Sequence, residues 1–297
     1  MKPNYSIEHQ GISGIARLRN EEDFLPIVLE RFLPFLDEII LVYDAGSIDK
    51  TKEICEDFQR KNPHKVKVYN YPYRVYPANS RELLVCEEND PCALWNYYNW
   101  SFSKSTCSHS MKIDGDLVPR KDLLNYKELI WEELNNSKPF IEVHGANLFI
   151  QDNELKVFTT EHDFTVCTGL EDHFIRKNDV ANLFYRKKDE PWEKWFYPKF
   201  IGLCIPSTFF YYHMRGCKQN KFINWGYAPI MAEYNTYKEF SKIGRPEYNK
   251  DWVNWEKSYR QFIKKHHRLD NYIELGLPNP NEDKEFIEYL KKWGFLK

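Results

Sequence analysis

Residues 12–54, ISGIARLRNEEDFLPIVLERFLPFLDEIILVYDAGSIDKTKEI, change hydrophobic period twice, and that change decides the fold. Ile12 to Leu18 is short and mostly apolar, as a buried strand is. Asn20, with the acid Asp23 three places on, reads as a helix N-cap, and Phe24, Ile27, Val28, Phe32 and Phe35 then recur at helical spacing. Glu38 to Asp44 returns to a continuous apolar run that ends on a carboxylate. Ala45-Gly46-Ser47 supplies a turn, Asp49 caps a second amphipathic helix reaching Arg60, and Val66 to Tyr69 begins a third strand. Such alternation gives a βαβαβ pattern and a parallel sheet.

Outward from this stretch the rhythm changes. Tyr71 to Cys92 carries three prolines and no clean period, which predicts a long loop of the kind used as a lid or binding segment. Ala93 to Ser105 returns to helix, and Ser110 to Ile113 is a fourth strand ending in Asp114-Gly115-Asp116. Residues 140–159 read as a hairpin turning at Gln151-Asp152-Asn153. Beyond Phe200 come a short strand, a loop around His213, and helices that include Lys284 to Trp293. No internal repeat or low-complexity linker interrupts the chain.

Composition narrows the class. The 297 residues are 42% hydrophobic and 29% charged, which suits a globular chain with a sizeable core and excludes disorder and collagen-like repeats. A net charge of −2 leaves no basic field for a polyanion, so nucleic acid is not an expected partner. No apolar run reaches the roughly 18 residues of a membrane span, and the opening MKPNYSIEHQ lacks the apolar core of a secretory signal. Seven cysteines without a CxxC pair fit reduced cytoplasmic thiols better than disulfides or a zinc site. The aromatic share of 16% has two readings, rings that stack on sugar faces or rings that fill a core.

In an open α/β sheet, ligands bind outside the carboxyl ends of the strands, which makes Arg17, Asp44 and Asp114-Gly115-Asp116 the first candidates. A carboxylate at Asp44 can accept from ribose hydroxyls or a base edge, or it can serve only its own turn. Two carboxylates one residue apart let one take a hard divalent cation while the other reaches a ribose or a metal-bound water, with Gly115 leaving room for a diphosphate.

The residues 12–54 stretch together with the KIDGD motif resembles the nucleotide-binding half of GT-A glycosyltransferases, above all the family-2 type of bacterial surface-polysaccharide pathways (lipopolysaccharide and capsule). The resemblance covers roughly residues 10–120 and departs from the family at Ala45 and in the 71–92 loop. It implies an α/β, GT-A (Rossmann-like) fold, a mixed, mostly parallel sheet flanked by helices, with a helical C-terminal extension. It also implies a nucleotide-sugar donor, most simply UDP-linked, with Ala16, Arg17 and Asp44 near base or ribose. Asp114 and Gly115 would lie at ribose and diphosphate, and Asp116, with Asp114, would hold Mn²⁺ or Mg²⁺.

Two later segments extend the expectation. Gly169-Leu170-Glu171-Asp172 looks like the segment carrying the base of inverting transferases of this fold, with Asp172 as base and Glu171 as second choice; capping of a following helix is the alternative. His213-Met214-Arg215-Gly216-Cys217-Lys218 suggests a metal ligand in His213 and cations for the leaving diphosphate in Arg215 and Lys218. The expected domains are 1–228, a GT-A domain with its nucleotide-sugar half at 1–120 and acceptor half at 121–228, and 229–297, a helical extension. The expected function is metal-dependent, inverting transfer to a glycan or lipid-linked glycan acceptor in the cytoplasm, with peripheral membrane contact through the C-terminal helices. The rivals are a retaining transferase, a sugar nucleotidyltransferase and a noncatalytic glycan-binding protein. The acidic ARLRNEED, standing where a glycine-rich phosphate loop belongs, argues against the nucleotidyltransferase.

Overall fold

A computed structural model describes residues 7–77, 80–135, 140–151, 153–157, 174–178, 184–186, 193–195, 203–214, 217 and 279–297. It is a mixed, mostly parallel α/β sheet flanked by helices. The strands β1 (His9–Leu18), β2 (Glu38–Asp44), β3 (Val66–Tyr71) and β4 (Cys107–Ile113) are all parallel, β1 lying between β2 and β4. Beyond them come β5 (Leu117–Pro119), β6 (Phe140–Gln151), β7 (Glu154–Val157), β8 (Phe174–Lys177), β9 (Phe184–Arg186), β10 (Glu193–Trp195) and β11 (Leu203–His213). The main order is β3-β2-β1-β4-β8-β6-β11-β5, and β9 with β10 forms a separate antiparallel pair.

The helices are α1 (Leu25–Phe32), α2 (Thr51–Lys61), α3 (Arg81–Val85), α4 (Leu94–Phe102), α5 (Lys127–Asn135) and α6 (Lys284–Lys292). One face of α1 buries Leu25, Ile27, Val28, Leu29 and Phe32, and α2 buries Cys55 and Phe58. Side chains of that size contribute about 1.5–3 kcal/mol each on full burial, which is what pins both helices to the sheet. The chain sorts into two compact units. The first holds Met1–Gly145, Gly169–Tyr212 and Gln219–Gly226; the second holds Ala146–Thr168, His213–Lys218 and Tyr227–Lys297.

Two local expectations change. Helix α1 starts at Leu25, not at an Asn20 cap, because Asn20 adopts φ 55 and its Oδ1 accepts from Ile48 N at 2.9 Å. Glu21 N and Glu22 N donate to Thr51 Oγ1 and Asp49 Oδ2, so residues 20–22 are stitched to the start of α2 instead of continuing a helix. The 71–92 stretch is not all loop, since α3 forms inside it with Ser80 Oγ accepting from Leu83 N at 3.1 Å.

In the second unit, β6 and β7 pair antiparallel from Leu148↔Val157 to Gln151↔Glu154, the hairpin expected from the sequence, and Asn153 takes φ 65 at the turn. Asn281 bonds both backbone groups of Leu155 at 3.0 Å, and α6 begins with Asp283 Oδ1 accepting from Phe286 N.

Candidate functional site

The carboxyl ends of the parallel strands gather charged side chains belonging to the first unit. Arg17 leaves β1 one residue before its end, and its Nη2 donates to Asp114 Oδ1 at 3.1 Å. Its guanidinium lies over the Tyr98 ring of α4, 3.1 Å from the centroid. Lys112, two residues before Asp114 on β4, brings Nζ within 3.5 Å of Asp114 Oδ2 and 5.4 Å of the same ring. Asp114 is therefore bracketed by two cations whose side chains are 7% and 4% exposed, while it remains 27% exposed itself. Removing either cation would leave a poorly solvated charge behind.

Asp114 O accepts from Leu117 N at 3.2 Å, closing a tight turn over Gly115 and Asp116 before β5. Asp116 is 2% exposed. A Cβ at Gly115 would stand 2.6 Å from both Cβ and Cγ of Glu21. Glu21 alone therefore makes glycine the residue that fits at this turn.

Asp44 ends β2 and is 2% exposed. Its Oδ1 accepts from Arg19 Nε at 2.9 Å and Gly46 N at 3.2 Å; its Oδ2 accepts from Arg19 Nη2 and from Val75 N at 2.9 Å. Arg19 Nη2 also donates to Val75 O at 2.6 Å.

Beneath these groups an aromatic floor forms from Tyr71, Tyr97, Tyr98 and Trp100. Tyr97 donates to Val42 O at 2.7 Å and Tyr71 to Pro91 O at 2.6 Å. Burial pushes the Tyr71 hydroxyl up to about 12 and the Tyr97 hydroxyl higher still, so both stay protonated donors.

Arg17, Asp114, Gly115 and Asp116 are thus brought together. Ala16 is 1% exposed in the sheet, between Leu41 and Ile113. His213 closes β11 and belongs to the second unit. Glu171, Asp172, Arg215 and Lys218 lie outside the described residues. Sequence reasoning missed Arg19, Lys112 and Tyr98. The period-2 alternation of a strand holds the signal for the first two, since Arg17 and Arg19 share one face, as do Lys112 and Asp114; Tyr98 has none.

Oxygen donors of this kind suit a hard cation such as Mg²⁺ or Mn²⁺. Among the described residues no three His, Cys, Asp or Glu side chains gather as a metal cluster.

Fold and site together define an α/β protein with paired carboxylates and arginines at the carboxyl ends of a parallel sheet. No family model and no curated protein matches the chain. Among solved structures it is similar to TarS residues 1–349 of S. aureus, at 15% identity over 69% of this chain and 61% of that one, TM-score 0.41. It is also similar to the mannosyltransferase PcManGT of Pyrobaculum calidifontis in complex with GDP-Man and Mn²⁺, at 13% identity over 48% and 39%, TM-score 0.35. A mycobacterial protein matches at 14% identity over 57% and 54%, TM-score 0.33. The chain spans less than two thirds of the length of each.

Proposed function

We propose that this chain is an enzyme, a metal-dependent GT-A glycosyltransferase that moves a sugar from a nucleotide diphosphate sugar, most simply UDP-linked, to a glycan acceptor of a surface polysaccharide. The observation that carries the reading is the Asp114-Gly115-Asp116 turn at the carboxyl end of β4, beside Arg17 from β1. That is where an open α/β sheet takes its ligands.

In this reading Asp114 and Asp116 would hold Mn²⁺ or Mg²⁺, which would supply positive charge to the leaving diphosphate. Asp114, fixed by Arg17 and Lys112, presents its exposed edge to the donor. Transfer with inversion makes a bond from the acceptor oxygen to the anomeric carbon, breaks the bond from that carbon to the diphosphate, and passes the acceptor proton to a carboxylate. Asp172 is the proposed base, with Glu171 second. Support comes from β8, which runs antiparallel to β4 with Met111 opposite Ile175. The chain therefore enters β8 at the end of β4 that carries Asp114 and Asp116, and Asp172 precedes Phe174 by two residues, a covalent reach of about 7 Å.

Among the described residues no helix is long and apolar enough to cross a membrane. Action at the cytoplasmic face, on a glycan or lipid-linked glycan, completes the proposal. Melting with UDP, GDP, CDP and CMP, each with and without Mn²⁺, tests it on wild type and Asp116→Asn. A rise with UDP that needs Mn²⁺ and disappears in the variant is expected. No rise with any nucleotide would refute the donor site.

A further inference from the structure

Asp44 has no acceptor position left for a ligand. A carboxylate offers roughly four lone-pair sites, and here two go to Arg19, one to Gly46 N and one to Val75 N. Arg19 closes the arrangement from the other side, its guanidinium bridging the Asp44 carboxylate and the Val75 carbonyl. Val75 is held by both its N–H and its C=O. Its side chain, 4% exposed, packs with Ile40, Val42 and Tyr71.

Neighbouring contacts fix the same segment. Ala45 N reaches Tyr73 O at 3.4 Å, and Tyr76 N donates to Cys92 O at 2.8 Å. A Cβ on Gly46 would stand 2.9 Å from Arg19 Nε and Nη2, so glycine is what lets the guanidinium lie flat over the turn. The segment after β3 is thereby tied down at the carboxyl ends of β1 and β2, and Val75 shares its buried cluster with Tyr98, the ring over which Arg17 lies.

We propose that Asp44 and Arg19 are positioning residues: they latch the 72–77 segment into the wall of the nucleotide site, and Asp44 does not itself read the nucleotide. The proposal rests on the nucleotide-sugar reading of the site. It follows that Asp44 governs how well the site binds and not which base it prefers.

Direct readout and latching separate in one experiment. Dissociation constants for UDP, GDP and CDP with Mn²⁺ are measured on the full chain for wild type, Asp44→Asn, Arg19→Lys and Val75→Pro. Amide hydrogen exchange within 72–77, at Tyr73, Arg74, Val75 and Tyr76, is followed without nucleotide. Asp44→Asn is expected to weaken all three nucleotides by a similar factor of about ten, the scale of one lost charged hydrogen bond, with their ranking unchanged. Exchange in 72–77 should accelerate by at least a similar factor of about ten while the rest of the sheet keeps its protection. Arg19→Lys should give the same pattern, because an ammonium cannot span a carboxylate and a carbonyl as a planar fork does. Val75→Pro deletes the N–H and leaves both charged partners, so it should resemble Asp44→Asn; if it does not fold, the other two variants still decide.

A changed base preference in Asp44→Asn with 72–77 exchange unaltered would overturn the latch and make Asp44 a direct reader. A wild type that binds no nucleotide removes the donor reading instead, and exchange alone then decides whether Asp44 and Arg19 hold the segment.

Discussion

A single missing methyl group says most about the turn at Gly115. Glu21 approaches so closely that Gly115→Ala must displace the Cβ and Cγ at the root of its side chain, not the far end of a mobile one. The expected cost is about 1–3 kcal/mol, read as a lowered melting midpoint. Adding Glu21→Gly should return part of that loss; strictly additive effects would show that the two residues do not share the space. Asp116→Asn keeps the volume and removes the charge. It should lower metal-stimulated transfer at least about a hundredfold with a modest change in melting. The paired acids were legible in the sequence because a short apolar run ends on them. Alternation puts Arg19 on the same face as Arg17, but its role was not legible, because Asp44 and Val75 stand 25 and 56 residues away and meet it only in the fold.

Elements are joined by a second polar system, at the other end of the parallel strands. Glu38 at the start of β2 accepts from Ser13 at 2.5 Å, from Thr106 N and Oγ1, and from Lys67 at 2.6 Å. Ser105 donates to Ser13, Asn178 Nδ2 to Ser105 and to Cys107 O, and Ser110 to Asn178 Oδ1. Arg176 adds a contact to Ser110. The chain of bonds thus runs from β3 across β2, β1 and β4 to β8. Burial alone would raise the Glu38 carboxyl, but hydrogen bonds from Lys67, Ser13 and Thr106 outweigh it and hold it below the usual range. A carboxyl lowered by folding stabilises fully above its ordinary value of 4.5 and loses that contribution as pH falls through the lower folded value. Denaturant melts from about pH 6 to 3 should therefore show wild type losing more stability than Glu38→Gln. Asn178→Ala removes three buried hydrogen bonds, to Ser105, Ser110 and the Cys107 carbonyl, which should cost about 3 kcal/mol. The βαβαβ order was readable because apolar period switches between strand and helix. The insertion of β8 between β4 and β6 was not, since four residues carry no usable period and a polar network fixes their place.

At the scale of the molecule, Cys55, Cys86, Cys92, Cys107 and Cys217 are free thiols, all of them buried except Cys92, which is partly open. Burial raises the thiols of Cys55, Cys92 and Cys107 alike above their ordinary value, so access and not acidity separates them. A thiol reagent on the native protein should label Cys92 first among these five, and the other four should follow at the rate of opening. Equal labelling of Cys55 and Cys92 would contradict the packing of α2. The placement of β8 has a further consequence, in time. Its residues emerge from synthesis some 60 positions after β4, several seconds later at about 5–20 residues per second. Throughout that interval one side of β4 presents unpaired backbone groups, with Ser110 and Cys107 O still waiting for Asn178. The newborn chain therefore passes through a period of stickiness, and slowing translation across residues 114–173 should increase the fraction lost to aggregates.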